Sequence, residues 1–267
     1  MTEVHDIRAG IGGWTYKPWR GTFYPEGLRQ ADELSYAAGR LGAIEINGTY
    51  YRLQKPESFA KWRDAAPEGF KFTIKASRYC TNRKDLRETG ESIERFLGQG
   101  IAELGDKLGP LFWQFMPTKR FDPEEFDTFL AMLPKTYQGL TLHHALEVRH
   151  DSFVCTEFVE LARKHGAAII CADSEKYPQI ADQTADFSYA RLLGACEDVP
   201  TGYPEPELDR WADIAEAWRD GGQAGGMDYL TPPTPAPEGR DVYIFFINGA
   251  KVRAPAAAEA LIARTVS

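Results

Sequence analysis

Cysteine is sparse in this chain, and the four present stand singly. Cys80, Cys155, Cys171 and Cys196 form no CxxC pair, so they read as reduced thiols and give no framework for a zinc or redox site. Only five histidines occur, which argues against a His-rich metal centre, and no cofactor is implied. There is no dense Lys/Arg block, and the formal net charge is -8. Sequence-independent nucleic-acid binding needs a basic footprint, so that role is disfavoured. The opening "MTEVHDIRAG" has no apolar signal core, and no run approaches a membrane span. The expectation is a cytoplasmic protein whose partner is a small polar or anionic molecule, with neither nucleic acid nor membrane. No feature bears on oligomeric state.

What is present is an alternation. Short apolar runs such as "IRAGIG", "AIEIN", "FKFTIK" and "PLFWQF" are each followed by a segment with apolar residues at helical spacing. The helix after the third run is expected to pass through Ile93, Phe96, Leu97, Ile101 and Leu104. In "FDPEEFDTFLAML", Asp122 reads as an N-cap, Pro123 as the first helical residue and Glu125 as the return half of a capping box. "HHALEV", "AAIICA", "FSYARLL" and "DVYIFFI" supply four more strands. After the sixth strand, "DSEKYPQIADQTAD" carries a proline and no apolar stripe, so the sixth helix is expected to be missing or reduced. A Gly/Pro-rich stretch over about 221–240 is expected to be a solvent-exposed insertion, with a binding loop as the lesser reading.

Eight strands over 267 residues fit one α/β domain, a single (β/α)8 TIM barrel of residues 1–267. The rival open sheet fits less well, because "GIGGW" lacks the spacing of a dinucleotide fingerprint. In a barrel the active face lies at the C-terminal strand ends. Those ends carry Glu45 and Asn47, Lys75, Gln114, Glu147 and Arg149, Asp173, Arg191 and Asn248. Residues two apart share a face, so Glu45 with Asn47, and Glu147 with Arg149, point the same way. A buried carboxylate needs a partner, and Lys75, Arg149 and Arg191 offer one to Glu45 across the mouth. Trp14, Tyr16, Tyr51, Arg78 and His150 follow close behind strand ends and complete the candidate substrate-binding set. Glu45, Lys75, Glu147 and Asp173 are the candidate catalytic residues, with Glu147 or Glu45 as the proton-transfer group. A network that only fixes the packing is the competing reading for any one of these.

The strand-end motifs together resemble the family known as domain of unknown function 72, the YecE-like proteins. The likeness runs through "IGGWTYKPWRGTFYPEGL", "EINGTYYRL", "FKFTIKASR", "GPLFWQFMPT", "ALEVRHDSF", "ADS", "TADFSYARLLG" and "VYIFFING". The resemblance implies a TIM barrel with a polar pocket at its C-terminal face and no established reaction. Against the usual family pattern, Asn82 and Leu193 stand where pocket-side histidines are common, and Gly12-Gly13 where small hydroxyl residues are common. Glu45, Lys75, Glu147, Arg149, Asp173 and Arg191 stand as that pattern has them. Three functions follow in order: an enzyme doing acid/base chemistry on a small sugar-like or carboxylated substrate, a non-catalytic binding or sensor barrel, and a metal-dependent phosphodiesterase or nuclease.

Overall fold

A computed structural model describes residues 5–234 and 236–265. The strands of its main sheet are β1 (Ile7–Gly12), β2 (Ala43–Ile46), β3 (Lys71–Lys75), β4 (Leu108–Gln114), β5 (His144–Glu147), β6, β7 (Phe187–Leu192) and β8 (Asp241–Phe246). Stave β6 is two short segments, Ala168–Ile169 and Cys171–Asp173, on either side of Ile170. The first pairs with β5 and the second with β7, so the nine segments make eight staves. Every pairing in the sheet is parallel, and β8 returns to β1 through Ile7↔Val242 to Ile11↔Phe246. The sheet is thus a (β/α)8 barrel of the TIM type.

Alternation along the staves sorts the side chains. Ile44, Ile46, Phe72, Ile74, Leu111 and Trp113 face outward into the layer between sheet and helices. Inside, Phe112, Phe187, Tyr189, Tyr243 and Phe245 fill the lumen with Ala43, Ala145 and Ala168 opposite. Large rings from β4, β7 and β8 therefore meet small residues from the other staves, which is how a barrel interior reaches close packing. Gly10 belongs to this fit, because a Cβ there would lie 2.0 Å from the Ala43 carbonyl oxygen.

The helices are α1 (Glu33–Ala38), α2 (Pro56–Ala65), α3 (Arg78–Thr81), α4 (Gly90–Leu97), α5 (Pro123–Ala131), α6 (Thr156–His165), α7 (Glu205–Arg219) and α8 (Ala254–Thr265). The helix expected to continue to Leu104 stops at Leu97 instead, and a 3-10 segment follows over Ile101–Lys107. Gly100 separates them at φ 110°, where a Cβ would press within 2.5 Å of the Pro56 backbone. Helix α5 begins as expected, with the Asp122 carboxylate accepting from the Glu125 amide at 2.9 Å. The return half of that box is not made. The Glu125 carboxylate accepts instead from the Leu86 amide at 2.7 Å and from Lys119.

Residues 174–186 contain no helix. The stretch 221–240, of which Pro235 lies outside the described residues, is tied down beside this gap. The buried Asp182 carboxylate accepts from the Leu230 amide at 2.9 Å, and from the Thr231 amide at 3.0 Å and hydroxyl at 2.5 Å. Arg240 reaches the carbonyls of Ala185 and Thr234. The insertion expected to be solvent-exposed is exposed or half-buried over most of its described residues, but it is anchored: Ala224 and Thr231 are buried, because a carboxylate left in the helix-free wall needs donors and this segment supplies them. No helix among the described residues is long and apolar enough to cross a membrane.

His144 is buried on the outer face of β5. Its Nδ1 accepts from Trp113 Nε1 at 3.1 Å, and Nε2 donates to the Pro134 carbonyl at 2.9 Å. Burial pulls the imidazole down to about 4. The unfolded chain takes up this proton below the ordinary value near 6.5 and the folded chain does not, so stability is full above pH 6.5 and falls as pH drops towards 4. The loss is at most about 3 kcal/mol. Urea unfolding of wild type and His144→Gln between pH 7.5 and 4.5 checks this: the variant should show the flatter dependence, and equal slopes would contradict it.

Candidate functional site

The top layer of the lumen is polar. Register places Glu45 of β2 beside Thr73 of β3, Gln114 of β4 beside Glu147 of β5, and Arg191 of β7 beside Ala172 of β6. Arg191 is the hub and is only 2% exposed. Its Nε and Nη2 each donate at 3.0 Å to Glu45, one to each carboxylate oxygen, and Nη1 donates to Glu147 Oε2. Glu45 is fully buried; it also accepts from Asn47 Nδ2 at 2.9 Å and Tyr189 OH at 3.0 Å. The Tyr189 hydroxyl lies 3.1 Å from Thr73 Oγ1. Glu147 Oε1 accepts from Arg149 Nε at 2.6 Å and Gln114 Nε2 at 3.0 Å.

Burial works to raise the Glu147 carboxyl, but Arg191, Arg149 and Lys75 outweigh it and hold the group down at about 2. Such a carboxylate is a counter-ion and a poor base near neutral pH. The same carboxylates hold Arg191 firmly charged against the opposing effect of its burial. Lys75 stands apart from this lattice. Its Nζ donates to Gln114 Oε1 at 2.7 Å and lies 4.3 Å from the centre of the Tyr50 ring. Its pairing is with a neutral amide, and burial, followed by Arg191, lowers the ammonium to about 8 against the pull of Glu45 and Glu147.

Above this layer opens a cavity of about 770 Å³. Trp14, Asn47, Tyr51, Lys75, Gln114, Arg149, Arg191 and Asn248 from the expected set line it. Trp14 is braced edge-on by Trp62 at 5.4 Å, and Arg149 stacks on Tyr177 at 4.4 Å. Glu45 and Glu147 lie just beneath the floor.

Four expected residues lie elsewhere. Asp173 pairs with Leu192 in the ladder and so faces outward, away from the side on which Ala172 and Arg191 meet. Burial raises its carboxyl, which is hydrogen-bonded to Tyr203. Tyr16 packs edge-on against the buried Trp19 at 5.2 Å. Arg78 is exposed and lies over Tyr79. His150 caps the turn Asp151–Phe153, its Nδ1 accepting from the Ser152 amide at 3.0 Å. None of these four lines the cavity.

Sequence reasoning also missed residues. Tyr189 sits two positions before Arg191, so the period of two that orients Arg191 would have turned it inward as well. Lys251, whose amine burial lowers, lines the cavity from just beyond β8; no periodicity reaches that far past a strand end.

Residues 8–266 match the family model described as "Protein of unknown function DUF72". The chain belongs to the DUF72 family. Over 150 residues it is 27% identical to the UPF0759 protein YecE of Escherichia coli K12, an alignment covering 55% of this chain and 50% of that protein. The chain thus spans about half the length of the curated relative it matches. A DUF72 family protein of Thermotoga maritima MSB8 superposes with a TM-score of 0.71 at 26% identity, covering 97% of each chain. One from Enterococcus faecalis V583 gives 0.72 at 17% identity, over 98% of this chain and 96% of that one.

Removing Arg191 alone would strand two buried carboxylates. Arg191→Leu is expected to cost roughly 3–5 kcal/mol in urea unfolding, and Glu45→Gln with Glu147→Gln in the same chain should recover part of the loss. A loss below about 1 kcal/mol for Arg191→Leu would show that the network does not hold the barrel mouth together.

Proposed function

We propose that the barrel mouth binds a small anionic polar molecule, carboxylated or an acidic sugar, and transfers protons to and from it through Lys75. The observation that carries this reading is the charge of the wall. Arg52, Lys75, Arg149, Arg191 and Lys251 line the cavity, and no Asp or Glu does so among the described residues, in a chain of net charge -8. Glu45 and Glu147 balance part of that charge from below, where their oxygens already accept hydrogen bonds from protein donors. Their role is to fix the forks of Arg191 and Arg149. A metal-dependent reaction gains nothing from carboxylates occupied in this way.

Lys75 is suited to proton transfer because its amine changes charge near physiological pH. Arg149 and Arg191 are placed to stabilise negative charge that develops on the bound molecule. Trp14 and Tyr51 give the cavity an apolar side against which a carbon skeleton can rest. Non-catalytic anion binding is the second reading, favoured by how completely both glutamates are engaged.

Thermal unfolding against small carboxylates, sugar acids and the matching neutral sugars tests the binding. A ligand at 100 times its dissociation constant adds about 2.7 kcal/mol, a rise of roughly 5–10 °C for a domain of this size. Anions should stabilise and their neutral analogues should not, and Arg149→Gln should weaken affinity about tenfold, roughly halving the rise. Equal shifts from neutral sugars would overturn the reading. For a ligand so found, loss of turnover with retained binding in Lys75→Met would separate the enzyme from the sensor.

A further inference from the structure

Resting on that anion-binding reading, we propose that Lys75 is also a nucleophile, condensing with the carbonyl of a small 2-oxo acid at the barrel mouth to form an imine. The placement of the amine is the argument. Nζ sits at the C-terminal end of β3 on the cavity wall, with Gln114 Oε1 at 2.7 Å and the Tyr50 ring face at 4.3 Å. Lysines are made nucleophilic by desolvation and by a neighbouring cation, and this one has both. Most buried lysines are held charged by a carboxylate. Here both nearby carboxylates are engaged by arginines, and the amine is left with an amide oxygen that serves an NH2 as well as an NH3+.

Gln114 is itself oriented, because its Nε2 donates to Glu147. Its oxygen is thereby fixed towards Lys75, which makes Gln114 a positioning residue. Arg149 lines the same wall and can turn its outer N–H edge to a carboxylate, while Arg191, its fork spent on Glu45 and Glu147, contributes positive charge alone. A 2-oxo acid carries its carboxylate directly on the carbonyl carbon, so an arginine holding the one brings the other to the amine.

The balance is simple. The lone pair of neutral Lys75 attacks the carbonyl carbon while the C=O π pair moves to oxygen, and an N–H proton passes to that oxygen to give a carbinolamine. Loss of the hydroxyl with one further proton releases water and leaves C=N. No oxidant or reductant enters. The imine, once protonated, is an electron sink, and while it stands the Lys75 amine no longer serves as the proton-transfer group.

The test is reductive trapping with glyoxylate and cyanoborohydride on the intact protein, read by peptide mapping. Hydride delivered to the imine carbon leaves a carboxymethyl group on the lysine. Lys75 should be modified about tenfold or more ahead of exposed lysines such as Lys17, Lys84 and Lys135. Its labelling should rise from pH 6 and level off above about 8. Propionaldehyde, which lacks the anion, should show far weaker preference for Lys75, and Lys75→Arg, folded by its melt, should lose the selective adduct. Mapping on the wild type keeps the result meaningful if that variant fails to fold.

Lactate, which has the carboxylate but no carbonyl, separates the two claims. If lactate stabilises the protein yet glyoxylate marks only surface lysines, the imine is overturned and the anion site stands. If neither anion stabilises and Lys75 stays unmodified, both fall.

Discussion

One guanidinium holds the barrel mouth. Arg191 lies between two carboxylates that are as buried as any leucine in the core, and it spends three N–H groups on them. The cost of taking three charges out of water is offset only if every lone pair finds a donor. Tyr189, Asn47, Gln114 and Arg149 supply those donors, and they come from β7, β2, β4 and β5 or the residues just beyond them. The network therefore ties half the staves together at one level. It also leaves the cations in slight excess on the cavity side, which turns a structural necessity into a surface that attracts anions.

The layer beneath explains why the network can exist. Aromatic side chains from three staves close the lumen below Glu45, so water cannot reach the carboxylates from the bottom of the barrel. Interactions in so dry a place are strong in both directions. They hold Glu147 ionised and Arg191 charged, while burial beside them, followed by the charge of Arg191, lowers the Lys75 ammonium.

Much of this was legible beforehand. The alternation of apolar runs with amphipathic segments is enough for the barrel. The absence of a stripe after the sixth strand marks the missing helix. Period two sets Glu45 with Asn47, and Glu147 with Arg149, on one face, while Arg191 is marked only by its place at a strand end. Asp173 escaped the same logic because "AAIICAD" is apolar on both sides, as strands covered on both faces are, and nothing in it says which residues turn inward. Tyr16, Arg78 and His150 lie past strand ends, where direction depends on loop backbone and not on a repeat. The hold of Asp182 on Leu230 and Thr231 links positions 48 and 49 residues apart, and no local pattern reports such a contact.

Stave β6 has a mechanical consequence. The barrel is a closed ring only because this stave changes neighbours at Ile170, leaving two register pairs towards β5 and three towards β7. Cut there, the molecule would be an ordinary parallel sheet running from β7 through β8 and β1 to β5, with its long seams intact. The ring therefore has a latch, a narrow one, covered by chain pinned to Asp182 instead of a helix. Thr231 works as a pin in that latch, beside the seam of the wall that has the fewest register pairs.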